Sequence, residues 1–165
     1  MILQRCFRSF FWACRHVAAA LLALTVMCAA STSARADGCD DLAKQLASQI
    51  SGLKVGATRG GVIYLEHPAA KQAWLGCSGR NIKNEVSASA AGKKPSKDFL
   101  DFVATAAALV FTIPKGDALA GAQRCVGRIG IFRGYNISTR YRKLDIRCAR
   151  TKDAVEITIS RDKDV

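Results

Sequence analysis

Apolar positions recur three and four apart from Asp40 to about Ser51, where Leu42, Ala43, Leu46, Ala47 and Ile50 fall on one face. That spacing predicts an amphipathic helix. Asp40 and Asp41 suit its positive end, and Gly52 stops it. The period then drops to two. LKVGAT (53–58) alternates Leu53, Val55 and Ala57 with polar or small residues, and GVIYLEH (61–67) is rich in β-branched and aromatic residues. Arg59-Gly60-Gly61 between them reads as a hairpin turn. KQAWLGC (71–77) predicts a third strand and NIKNEVSASA (81–90) a weaker fourth, fading into the small, basic connection SAAGKKPS.

The helical period returns after Ser96, which suits an N-cap. Phe99, Phe102, Val103, Ala106, Ala107 and Val110 line one face, and Leu100, Leu109, Phe111 and Ile113 widen it. This is the central core helix; it is too short to span a bilayer, which takes about 20 apolar residues. Pro114 and Gly116 break it, and Asp117 is placed to cap a second helix carrying Ala118, Leu119, Ala122, Cys125, Val126 and Ile129. Gly121 and Gly127 weaken that helix, which implies a tight approach or an interruption. The end of the chain is β again. In YNISTRYRKLDIRCAR the apolar parity changes from odd (Ile137, Tyr141) to even (Leu144, Ile146, Cys148), which predicts a β-bulge near Arg142. Thr151-Lys152-Asp153 turns the chain into a last strand with Val155, Ile157 and Ile159 inward. The expected fold is therefore α+β, with order α-β3/4-α-α-β2. Its sheet is mainly antiparallel and its helices lie on one face. The element order resembles the helix–three strands–helix–two strands part of type III secretion chaperones, without their closing helix; no motif is shared.

The first segment changes the accounts. Arg5, Arg8 and Arg15 precede an apolar run from Val17 to about Ala30, and small residues follow up to Ala34-Arg35-Ala36. That order predicts a secretory signal peptide over residues 1–36, cleaved after Ala36, and a single domain over 37–165. The expected location is the bacterial periplasm or the exterior, with no membrane span left after cleavage. Of 25 basic and 13 acidic residues, four basic and no acidic ones precede Asp37, so residues 37–165 carry a net +8. Four cysteines remain there: Cys39, Cys77, Cys125 and Cys148.

Four cysteines in a small exported domain imply two disulfides. Cys125 faces the core from a helix and Cys148 faces inward from a strand, so a helix packed on that strand brings them together. Cys39 lies just before the first helix and Cys77 closes a strand in WLGCSG. The expected pairs are Cys39–Cys77 and Cys125–Cys148. On that reading Cys77 is a staple rather than a nucleophile. A thiolate needs an activating base, and His67 is the one histidine left.

Other chemistry has little to build on. The cysteines are too far apart in sequence for a structural zinc site. Asp162-Lys163-Asp164 is a charged tail. Glu66 and His67 alternate to opposite faces, and Asp98 and Asp101 suit a helix start. No catalytic residue, metal or cofactor is therefore expected. One feature stands out. From Arg124 to Lys152 there are nine basic residues, with Asp145 the one acid and Phe132, Tyr135 and Tyr141 interleaved. Arg133, Arg140, Arg142, Lys143, Arg147 and Arg150 are the candidate anion contacts, since arginine makes planar two-point contacts with phosphate or carboxylate. For an exported chain the available partner is an anionic envelope component or an acidic protein, not nucleic acid. The function expected first is a non-catalytic binding module with a basic C-terminal surface. A chaperone-like or structural envelope protein is the second reading, and a small hydrolase or thiol enzyme the third.

Overall fold

The computed structural model describes residues 34–77 and 84–161. The chain divides into two compact units after Gly38, and the sheet, two of the described helices and all but the first turn or so of the other belong to the unit beginning at Cys39. Residues 1–33, which carry nearly all of the signal-like segment, lie outside the described residues, as do 78–83 and the Asp162–Asp164 tail.

Among the described residues, three helices and seven strands follow in the order α1 (Ala34–Gln49), β1 (Lys54–Arg59), β2 (Val62–Glu66), β3 (Gln72–Gly76), β4 (Glu85–Ala91), α2 (Lys97–Phe111), α3 (Lys115–Arg128), β5 (Asn136–Tyr141), β6 (Leu144–Arg150) and β7 (Ala154–Arg161). All these strands belong to one antiparallel sheet of order β1-β2-β3-β4-β7-β6-β5. Two meanders meet at β4 and β7, and the α2–α3 pair carries the chain across the sheet to the opposite edge. The fold is α+β, as the pattern predicts. Four strands before the helix pair and three after it depart from the chaperone-like order.

The extra strand corrects the expected bulge. Tyr141 pairs directly with Leu144, and Arg142 and Lys143 between them have φ of 46° and 67°. This is the two-residue hairpin turn whose backbone twist matches the right-handed twist of the flanking strands. Turn-flanking partners three apart in sequence share one face, so a hairpin changes parity as a bulge does. The Gly60-Gly61 turn has the same form, with φ of 60° and 81°.

One face of the sheet, with Ile63, Leu65, Leu75, Val86, Ile146, Cys148, Ile157 and Ile159, is buried against Phe99, Val103, Ala107, Ala118, Ala122 and Cys125 of α2 and α3. Ala43 and Leu46 of α1 join the same core. Ser96 Oγ accepts from the Phe99 N–H at 3.1 Å, capping α2 as expected. Asp117 does not cap α3; it lies in the first turn and its carboxylate accepts from Arg142 at 2.8 Å. The first helix also begins earlier than Asp40. Cys39 therefore lies inside it, in a stretch where Ala34 and Ala36 favour helix.

Both disulfides are formed as expected. Cys39–Cys77, with Cα atoms 5.8 Å apart, ties α1 to the end of β3; Cys125–Cys148, 6.0 Å apart, ties α3 to β6. The glycine in α3 marks a tight approach, not an interruption. A Cβ on Gly121 would lie 2.5 Å from Ile146 Cδ1 and 3.3 Å from Tyr141 Cδ1.

Candidate anion-binding surface

The register of β5, β6 and β7 sorts the six candidate cations. Ile146 and Cys148 face the core, so Asp145 and Arg147 face outward, with Arg140 opposite Asp145 and Ser138 opposite Arg147. Arg142 and Lys143 form the β5–β6 turn at one end of the sheet, where Arg142 is held by Asp117. Arg133 and Arg150 lie towards the other end. The six residues thus occupy three places. Sequence proximity along two paired strands spreads side chains over both ends and both faces, so it does not gather them into one patch.

The outward pair lines a shallow cleft of about 300 Å³ with Glu85, Ser138, Asp145, Thr158 and Ser160. Its cations are matched by acids. Arg140 Nε lies 3.8 Å from Asp145. Burial pushes Glu85 above the usual carboxylate range, Arg147 opposes that shift and Glu156 adds to it. Beside the cleft, Ser87 is buried in the sheet and its hydroxyl reaches Glu156 at 3.1 Å and Thr158 at 3.0 Å. The floor is a polar ladder with near-balanced charge, so its preference for anions is weak.

The Glu85 shift has a consequence for stability. A carboxyl whose folded pKa is raised binds more protons folded than unfolded. Stability therefore falls as pH rises from the unfolded pKa through the folded one, and the penalty is fully present above both. Glu85→Gln should remove that loss. Denaturant titrations of both proteins from about pH 4 to 7 should show the wild type losing stability relative to the variant as pH rises. Parallel curves would mean that Glu85 is solvated like a free side chain.

The far end of the sheet is different. β4 leaves it into Gly92-Lys93-Lys94, β6 and β7 turn there through Thr151-Lys152-Asp153, and β5 enters it from the connection after α3. These three segments and the last residue of β6 bring together Lys93, Lys94, Arg133, Arg150 and Lys152, against one acid, Asp153. Lys93, Tyr135, Arg150, Thr151 and Lys152 line a depression of about 470 Å³. Arg150 Nε is buried and meets no hydrogen-bond acceptor among the described residues. The loops are fixed to one another: Arg150 N donates to Tyr135 O at 2.7 Å and Gly92 N to Asp153 O at 2.8 Å. Lys93 and Lys94 lie outside the basic run of the C-terminal third, and only the β4–β7 pairing brings them beside it. Their one signal in the sequence is the doubled lysine after Gly92.

The residues suited to acid–base chemistry meet elsewhere. His67, Asp98, Asp101, Ser51 and Lys115 border a hollow of about 350 Å³ beneath α2. The imidazole is stacked on Phe102 at 4.2 Å, and its Nδ1 accepts from the Ala69 N–H at 3.2 Å. Asp101 is paired with Lys115 at 2.7 Å. Among the described residues no hydrogen bond joins His67 to Ser51 or to either aspartate, and the contacts the ring does make are those of a turn and of packing. Cys77 is bonded to Cys39 and presents no thiolate. Among the described residues no group of acids, histidines and cysteines is placed to hold a metal ion, and no helix is long and apolar enough to cross a membrane. No family model, curated protein or solved structure matches the chain.

Proposed function

We propose that this protein is an exported, non-catalytic binding module that recognises an anionic partner through the basic end of its sheet. The observation that carries the reading is the convergence at one end of the sheet of Lys93, Lys94, Arg133 and Lys152 from three loops with Arg150 at the end of β6, with Asp153 the one acid in those segments. Export is supported by the signal-like first segment and by the two disulfides, which persist in oxidising compartments. Exposed cations of this kind attract anions over about 10 Å at moderate salt and lose that attraction as salt rises.

Retention on immobilised heparin, a sulfated polyanion, tests the reading. The wild type should be retained, and its affinity should fall steeply with added sodium chloride. Charge reversal at Lys93, Arg133 and Lys152 should weaken it at least about tenfold, equivalent to 1.4 kcal/mol. Reversal at Arg140 and Arg147 should have a smaller effect, because Asp145 and Glu85 already share their cleft. Retention indifferent both to salt and to reversal of the loop cations would sink the proposal.

A further inference from the structure

The same end of the sheet carries a second, uncharged feature. Gly130-Ile131-Phe132-Arg133-Gly134 forms a tight turn, closed by Gly130 N donating to Gly134 O at 3.1 Å and Arg133 N donating to Gly130 O at 3.2 Å. Gly134, at φ 83°, takes the left-handed conformation that the closure requires. At the tip Ile131 is 87% exposed and Phe132 101%, with Tyr135 56% exposed at the base. Scattered apolar side chains are ordinary on a surface. Two adjacent large ones held outward by a closed turn, and left uncovered by the described residues, are not.

We infer that this turn inserts into an anionic lipid surface, with Ile131 and Phe132 entering the acyl boundary and the loop cations resting on the headgroups. The inference rests on the anion-binding reading above and names its partner. Charge and shape together single out a bilayer. Arg133 lies in the turn itself, and Lys93, Lys94 and Lys152 lie in two further loops at the same end of the sheet, so a broad anionic plane can meet all of them at once. Ile131 and Phe132 are 87% and 101% exposed rather than seated in a groove, and a fluid surface accepts such side chains without a matching pocket. Interfacial anchors place apolar residues about 5–10 Å into the headgroup–acyl boundary with Lys and Arg outside it. Tyr135 at the base suits the polar–apolar border where tyrosine collects. The turn already has its conformation before contact, so little backbone ordering opposes insertion.

The test is co-sedimentation of the full, disulfide-bonded protein with vesicles of phosphatidylcholine alone or mixed equally with phosphatidylglycerol. Heparin retention is measured in parallel. The wild type should bind the mixed vesicles and bind neutral ones weakly. Ile131→Ser with Phe132→Ser should lower binding to mixed vesicles at least about tenfold, since each full burial of such a side chain corresponds to that or more, and should leave heparin retention and the melting temperature unchanged. In a Phe132→Trp variant, brominated acyl chains should quench the added fluorescence.

Vesicle binding unaltered by the double serine change would overturn insertion while leaving anion recognition in place. So would heparin retention without vesicle binding. A tip variant that loses self-association in sedimentation, with vesicle binding intact, would reassign the tip to a contact between copies of the chain. Failure on both heparin and vesicles would remove the anion-binding reading as well.

Discussion

Replacing Cys125 and Cys148 together by alanine is expected to lower stability by about 4–5 kcal/mol, and the same change at Cys39 and Cys77 by about 2–4 kcal/mol. Chain entropy alone ranks them the other way. The Cys39–Cys77 link closes the longer stretch, a separation of 38 residues against 23, and the logarithmic dependence favours it by about half a kcal/mol. Burial reverses the order. Cys125 and Cys148 are fully buried between α3 and β6, whereas Cys39 and Cys77 are only partly covered. Truncating the inner pair leaves two small voids in a packed seam, and each adds to the loss. A small domain has about 5–15 kcal/mol in total, so the inner change removes a large share of it. Denaturant unfolding of the two double variants decides the matter. Equal losses, or a larger loss for the outer pair, would mean that loop closure outweighs packing here. Mild reductant with alkylation gives a second readout: Cys39 and Cys77 should be labelled before Cys125 and Cys148.

That pairing was legible in the sequence because both inner cysteines lie in strongly periodic segments. Cys125 falls on the apolar stripe of a helix and Cys148 on the inward parity of a strand, so local periodicity alone sets their faces. The core helix and its Ser96 cap were legible for the same reason. What sequence patterning missed were facts of pairing. A parity change marks either a bulge or a two-residue turn, and Arg142-Lys143 carries none of the glycine or asparagine that usually announces the latter. The basic residues form one run along the chain, yet the length of β6 puts Arg142 and Arg150 at opposite ends of the sheet. Lys93 and Lys94 join Arg133 and Lys152 because β4 pairs with β7. That long-range pairing leaves no trace in local composition.

Gly121→Val is expected to cost about 3 kcal/mol, whereas Gly127→Ala, six residues along the same helix, should add about 0.5–1 kcal/mol. Both glycines are helical, and propensity favours replacing either. Packing separates them. Around Gly127 a Cβ would meet nothing within 4 Å, whereas at Gly121 it would lie 2.5 Å from Ile146 Cδ1 and 3.4 Å from Tyr141 Cβ. Ile146 is 1% exposed, so its terminal methyl has little free space to move into, and a branched side chain at 121 pushes α3 off the sheet. The position matters because Gly121 is one turn before Cys125 and Ile146 is one inward position before Cys148. The glycine contact and the disulfide are consecutive rungs of one helix–strand seam, and the missing side chain lets α3 approach closely enough for the sulfurs to join. Gly121→Ala should show the conflict in milder form, with a net loss of about 1 kcal/mol after its helix-propensity gain. Ile146→Val removes the methyl in question and alone should cost about 0.5–1.5 kcal/mol. Combined with Gly121→Ala it should cost less than the sum of the two, with a favourable coupling of about 1 kcal/mol. Additive losses, or a Gly121→Ala protein as stable as the wild type, would show that the seam has room for a methyl and that the close approach is not set by the glycine.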